Sequence, residues 1–366
     1  MADFCRVMET FAPTGLAQEW DNVGLLAGDP AASVERILLT IDLTPEVVRE
    51  AIHGKAALVM AYHPPIFRPV GAIRADGPGA EACVFRCIEN RIAVYAPHTA
   101  LDAAEGGTND VLARLCGIRE CEPLEYVDEP GPARVKLAVY VPAPDVEKVA
   151  DALFAAGAGH IGDYSHCSNR IACTGTFVGG ASTNPTIGQR GRLEYVDEIR
   201  LEAVLPSKCL PAAVKAMVDA HPYEEPAFDV YPLLARAVRG IGRVGVLPAS
   251  VSLNALAKKL KRATRAHCVQ IVGSGDHKVR RAVVVAGAAG TLPLRLPPVS
   301  GDVIITGEFR HHDALTLGRL GVAAIALGHW ASERPVLTDL ARRLAEALRP
   351  ATIVVSDEDR GPFNAA

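Results

Sequence analysis

The sequence predicts an α/β protein whose sheet is interrupted by an inserted α+β module, and three observations carry that reading. Short apolar runs bounded by Pro and Gly alternate with amphipathic stretches, as buried parallel strands alternate with crossover helices. In the middle of the chain the rhythm changes, and Lys136–Pro142 matches Arg200–Pro206 at an offset of 64 residues, each followed by a helical pattern. Outside that stretch, three of the apolar runs end in a histidine with a carboxylate close by or supplied by another run.

Taken in order, Arg36–Ile41 reads as a strand ending at Asp42. Thr44-Pro45-Glu46 is a helix start, with a hydroxyl cap and proline in the first turn. Ala57–Met60, Ile92–Tyr95, Ala282–Ala286, Asp302–Thr306 and Val322–Leu327 continue the strand pattern. Composition breaks at Asp128–Pro132 and near Arg239-Gly240 divide the chain into an α/β domain, 1–130 plus 236–366, and an insert, 131–235. Within the insert, Val146, Val149 and Leu153 correspond to Leu210, Ala213 and Met217. With further strands around Ile171–Val178 and Phe228–Tyr231, the two strand-helix units predict a ferredoxin-like module. Gly287-Ala288-Ala289-Gly290 lacks the spacing of a dinucleotide or phosphate loop and reads as a turn. The stretch from Asp357 to Ala366 reads as a polar tail.

At 366 residues, 49% hydrophobic and 22% charged, the chain can bury two cores. A net charge of -4 leaves no global positive field for a nucleic-acid backbone or an anionic membrane. The basic cluster Lys258, Lys259, Lys261, Arg262 and Arg265 lies opposite Leu253, Leu256 and Leu260, as a solvated helix face does. Nine cysteines without a Cys-x-x-Cys pair fit reduced thiols. With no signal-like segment at Met1–Arg6 and no run of 18 apolar residues, a cytoplasmic protein without membrane spans is expected.

The chemistry sits at the ends of the apolar runs: His63 after the first, His98 and Asp102 after the second, His329 and Glu333 after the third. Open α/β sheets place ligands beyond the carboxyl ends of their strands, so these histidines can converge on one crevice. Imidazole and carboxylate together suit a divalent transition metal such as Zn, Mn or Fe, which polarises a substrate and lowers the pKa of bound water. His98 and Asp102, like His329 and Glu333, are four apart and share one side of a helix. Thr306–Asp313 offers Glu308 and His312 as proton carriers, or else is a helix N-terminus with solvated histidines. Asp21 and Asp42 read as structural caps at turns.

Glu19–Leu25, Tyr62–Phe67, His98–Asp102, Thr306–Glu308 and Gly328–Glu333, in that order along nearly the whole chain, closely resemble the Nif-three-like family, also labelled GTP cyclohydrolase 1 type 2. The resemblance implies a three-layer α/β fold and a toroidal homohexamer. It also implies a PII-like insert, which matches the segment around His221–Pro226. A dinuclear metal centre is implied on His63, His98, Asp102, His329 and Glu333, with Glu333 bridging. The family usually has two adjacent histidines at the first motif, and here the first is Tyr62. A tyrosine must lose a proton of pKa about 10 to ligate as an anion. One firm site on His63, His329 and Glu333 is therefore expected, with a looser second site on Asp102 and either His98 or Tyr62.

If the family's enzyme label applies, the small-molecule substrate is GTP. Water then attacks C8 of guanine and formate is released, with Glu308 or His312 moving protons. Hydrolysis of a phosphoester or amide bond would use the same metals, and a metal-stabilised scaffold or regulatory protein without turnover is the non-enzymatic alternative.

Overall fold

Apolar runs of four or five residues have no polar face to give to solvent, so they are stable only where helices cover both sides of a sheet. The strands Leu58–Ala61, Ala93–Ala96 and Ala323–Ala326 meet that condition, with all four residues of each buried. The computed structural model describes residues 1–77, 79–126, 134–233, 239–295, 297 and 301–363. It divides into two compact units, Met1–Val127 with Ala237–Ala366, and Asp128–Arg236. The composition break expected at Asp128–Pro132 lies outside the described residues.

The larger unit holds two main sheets. In the first, Thr352–Val355, Arg36–Thr40, Leu58–Ala61 and Ala93–Ala96 run parallel, and Gly24–Ala27 pairs antiparallel with the last. In the second, Lys278–Ala288, Asp302–Glu308 and Ala323–Ala326 run parallel, and Gln270–Val272 pairs antiparallel with the last. Arg243–Ser252 and Cys121–Glu122 extend its other edge. The helix Pro45–His53 begins as its sequence dictates, with Thr44 Oγ1 accepting from Val47 N, a cap worth about 1 kcal/mol.

Each half follows one order: helix, antiparallel edge strand, three parallel strands, a short helix, then a longer one. Helix Ala2–Phe11 corresponds to Leu253–Thr264, short helix His98–Ala103 to His329–Glu333, and longer helix Thr108–Cys116 to Pro335–Ala347. The halves are interlocked. Val336, Leu337, Leu340 and Leu344 of the last helix pack against Ile37, Leu39, Leu58 and Met60 of the first sheet. Leu112, Ala113 and Cys116 pack against Ala282, Val284 and Ile305 of the second. The outer faces are covered by Val47, Val48, Val84 and Cys87 on one side and by Leu317 on the other. Between the two sheets the last helix thus lies against the first and Thr108–Cys116 against the second.

In the smaller unit, strands Arg134–Pro142, Asn169–Val178, Leu193–Pro206 and Phe228–Pro232 form one antiparallel sheet. Helices Val146–Ala155 and Leu210–Ala220 follow the first and third strands. The repeat read in the sequence is the structural one: Lys136 pairs with Val204 and Arg200 with Tyr140 on adjacent strands, and each strand leads through a 3-10 turn into its helix. Val149, Leu153, Ala213 and Met217 fill the core between helices and sheet.

The nine cysteines are unpaired, and among the described residues no helix is long and apolar enough to cross a membrane. Leu253, Leu256 and Leu260 are buried, while Lys258, Lys261 and Arg262 face solvent, as the amphipathic pattern requires.

Candidate metal centre

Three strand ends deliver the side chains. Beyond Leu58–Ala61 the backbone stays tied to the neighbouring strand, with Tyr62 N and His63 N donating to Thr40 O and Ile41 O at 2.9 and 3.0 Å. Pro64 then stops the ladder, so the imidazole of His63 leaves a fixed backbone. His98 opens its short helix at φ 28, in the left-handed region, a strain on the order of 1–3 kcal/mol that the surrounding contacts must hold. Asp102 follows one turn later. In the second half, Gly328 at φ 89 turns the chain out of Ala323–Ala326 and into the helix His329–Glu333, which puts those two side chains on one face.

One ligand atom each from His63, His329 and Glu333 lie within 4.8 Å of one another. His329 Nε2 is 3.1 Å from Glu333 Oε1, and His63 Nε2 is 3.3 Å from Glu333 Oε2. The rings continue as a row, with His63 to His329 at 5.4 Å and His63 to His98 at 5.3 Å between centroids. Tyr62 lies 5.7 Å from His98, and its hydroxyl donates a short hydrogen bond to Asp102. The structure thus groups Tyr62, His63, His98, Asp102, His329 and Glu333.

Each histidine has its other ring nitrogen on a carboxylate. His63 Nδ1 bonds Asp42 at 2.9 Å, His98 Nδ1 bonds Asp21 at 2.8 Å, and His329 Nδ1 bonds Glu308 at 3.1 Å. A carboxylate behind the imidazole fixes tautomer and ring direction and raises the basicity of the free nitrogen, as the outer shell of a metal site does. Two further observations fit a cation. Glu333 is 4% exposed and its Oε2 lacks a hydrogen-bond partner of acceptable geometry. Among the described residues, the ion pairs of Asp21, Asp42, Glu308 and Glu333 are with histidines, not with lysine or arginine.

Electrostatics show the same excess of negative charge. Burial pulls the His63 pKa down, but the hydrogen bond to Asp42 and the nearby Glu333 carboxylate outweigh that and push it up to about 10. The bond to Glu333 raises His329 to about 9 against the opposing effect of burial. Burial pushes Asp102 up to about 6, relieved by Tyr62 and reinforced by the Glu333 charge. Glu333 would be raised by burial and is instead held below its ordinary value by His329 and His63. Tyr62, buried beside Asp102, is driven well above the ordinary phenol value and keeps its proton.

Both imidazole values exceed the ordinary 6.5, so the stabilisation these histidines give the metal-free fold is complete below about pH 6.5 and is lost as pH rises through 9 to 10. Chelated protein should melt at progressively lower temperature from pH 7 to pH 10 in scanning calorimetry. A His63→Gln, His329→Gln double variant should flatten that slope, and a flat wild-type profile would contradict the assignment.

Three expectations need correction. Asp21 and Asp42 are more than caps: Asp21 does bond Thr99 at the start of its helix, but both carboxylates orient histidines. Gly287 is not in a simple turn but within the strand Lys278–Ala288, at φ 63 beside a register shift. A Cβ there would stand 2.3 Å from Glu333 Oε1. His312 lies exposed on the helix His311–Arg319, with its ring against that of His311. The segment from Asp357 is not a free tail: Asp359 is 4% exposed, accepts from Trp330 Nε1 at 3.0 Å and pairs with Arg334 at 2.9 Å, bracing the His329 helix. Residues 364–366 lie outside the described residues. The signal for Asp42 was legible, since it ends the strand next to the one that delivers His63.

Fold and cluster together define an α/β protein with a candidate metal centre at the carboxyl ends of parallel strands from two sheets. The chain belongs to the Duf34/NIF3 (NGG1p interacting factor 3) family, whose model matches residues 1–362. It is 37% identical over 365 residues to a Bacillus subtilis protein named GTP cyclohydrolase 1 type 2 homolog, covering 98% of this chain and 96% of the relative. Among solved structures, a Bacillus cereus protein related to NIF3 matches with a TM-score of 0.74 at 35% identity, covering 99% of this chain and 97% of that one. A Staphylococcus aureus protein matches with a TM-score of 0.80 at 25% identity, covering 100% and 98%.

Proposed function

We propose that this protein is a metal-dependent hydrolase. The observation that carries the reading is the pair of imidazoles, His63 and His329, whose Nε2 atoms both face the buried Glu333 while carboxylates hold their Nδ1 atoms. A first divalent ion, Zn, Mn or Fe, would be held by His63, His329 and Glu333, and a second, weaker one by Asp102 with His98, Glu333 bridging. Such ions polarise a substrate and make water a better nucleophile at neutral pH. Tyr62 keeps Asp102 engaged through its hydroxyl and so weakens the second position. Glu308, 54% exposed and bonded to His329 through one oxygen, has its second oxygen for proton transfer at the rim. His312, exposed at the start of the helix His311–Arg319, would be the alternative proton carrier.

The relatives' name supports a nucleotide substrate; the reaction we propose for it is opening of GTP at guanine C8 with release of formate. We further assign the chain to the cytoplasm, to a homohexamer, and its insert to a PII-like module, which its β-α-β-β-α-β order supports. Elemental analysis should find at least one ion per chain, Tyr62→His should raise the content toward two, and metal-loaded protein should release formate from GTP. Protein that takes up no ion on reconstitution would overturn the metal reading. Metal-loaded protein that releases no formate but cleaves phosphoester or amide substrates would overturn GTP alone, and metal that alters assembly without any turnover would favour the scaffold.

A further inference from the structure

Large aromatic side chains left in water beside a polar cluster need an explanation, because their burial elsewhere is favourable and solvent-exposed aromatics on ordered loops characterise ligand sites. Trp20 is 59% exposed and Phe67 41% exposed, and the two rings meet edge to face at 5.8 Å. Both also touch His98, at 6.1 Å from Trp20 and 6.4 Å from Phe67 between centroids. The aromatic pair therefore continues the row of imidazoles outward from the cluster.

Their loops are pinned from both sides. Asp21, next to Trp20, has its carboxylate on His98 Nδ1 and Thr99 N, and Asn22 Nδ2 donates to Ile66 O, next to Phe67, at 2.5 Å. Two rings held in place in this way give a preorganised π surface, and little ordering entropy opposes stacking on it.

Resting on the metal-hydrolase reading above, we propose that Trp20 and Phe67 form the wall on which a planar heteroaromatic ring of the substrate stacks, with the ring's reacting edge directed at the cluster beside His98. The wall determines specificity for ring-bearing substrates and leaves metal binding to the histidines and carboxylates. Aliphatic phosphoesters and inorganic phosphate gain nothing from it. A base stacked on aromatic side chains tolerates different ring substituents, so the wall selects a chemical class rather than one base.

The test uses metal-loaded full-length protein, isothermal titration calorimetry, and four probes: GTP and guanosine 5′-monophosphate with a ring, ribose 5-phosphate and inorganic phosphate without one. Wild type should bind the ring-bearing probes at least about ten-fold more tightly than the others, and Trp20→Ala or Phe67→Ala should lose about that factor. Trp20→Phe should retain most of the affinity, and all three variants should keep wild-type metal content. Equal affinity for the two probe classes, binding of none of them, or unchanged affinity in both alanine variants would overturn the wall. So would a change in the oligomer measured by light scattering on Trp20→Ala, since the rings would then belong to a contact between copies. Loss of metal uptake by wild type would instead refute the reading on which the wall rests.

Discussion

Glu333→Gln should reduce metal affinity by more than about a hundred-fold, because the substitution removes the one carboxylate that both inward-facing imidazoles share. The glutamine has nearly the same shape, so packing around a residue that is 4% exposed is preserved and the loss is electrostatic. Its amide also presents a donor where an acceptor stood. His329 loses the partner that raised it most and His63 loses one of two, with Asp42 remaining, so the metal-free variant should stay folded and lose part of its stability change between pH 7 and pH 10. Elemental analysis and calorimetry after chelation read the two effects separately. Full metal occupancy in Glu333→Gln would sink the ligand assignment.

Gly287→Ala should be the second most damaging single change, although no sequence motif marks it. The added Cβ would lie 2.3 Å from Glu333 Oε1 and 3.2 Å from His329 Nε2, so the carboxylate must move by about an ångström, enough to spoil ligand geometry. The residue also sits at φ 63, where an L side chain costs about 1–2 kcal/mol. Gly290 supplies the control: at φ 55, with nothing within 4 Å of the point a Cβ would occupy, Gly290→Ala incurs the backbone strain alone. Both variants should show lowered melting temperatures, and only Gly287→Ala should lose metal affinity, by about ten-fold or more in a competitive titration. Equal metal affinity in the two would show that Glu333 relaxes freely and that the close approach of Gly287 is incidental.

The strand ends were legible because fully buried strands leave continuous apolar runs, and because proline or glycine stops each run next to its functional side chain, as at His63-Pro64 and Gly328-His329. The repeat in the insert was legible for a similar reason: strand, proline and amphipathic helix recur together. The orienting role of Asp21 was not, since a lone Asp at a turn looks the same whether it caps a helix or holds an imidazole, and Asp21 does both. The role of Gly287 depends on a side chain 46 positions away in sequence (333 − 287), a relation that local pattern does not carry. The resemblance between the two halves was hidden because their strands differ in length and composition while sharing direction and order. Only the four-residue spacing of His98 to Asp102 and of His329 to Glu333 betrayed it.

That doubled plan bears on how the proposed site is assembled. The first copy brings His63, His98 and Asp102 and the second brings His329 and Glu333, and each sheet relies on the other copy's long helix for part of its cover. On the ribosome the first copy emerges first, then the insert, and then the second copy with His329 and Glu333. On the proposed reading, the site of His63, His329 and Glu333 is complete only once the second copy has closed onto the first.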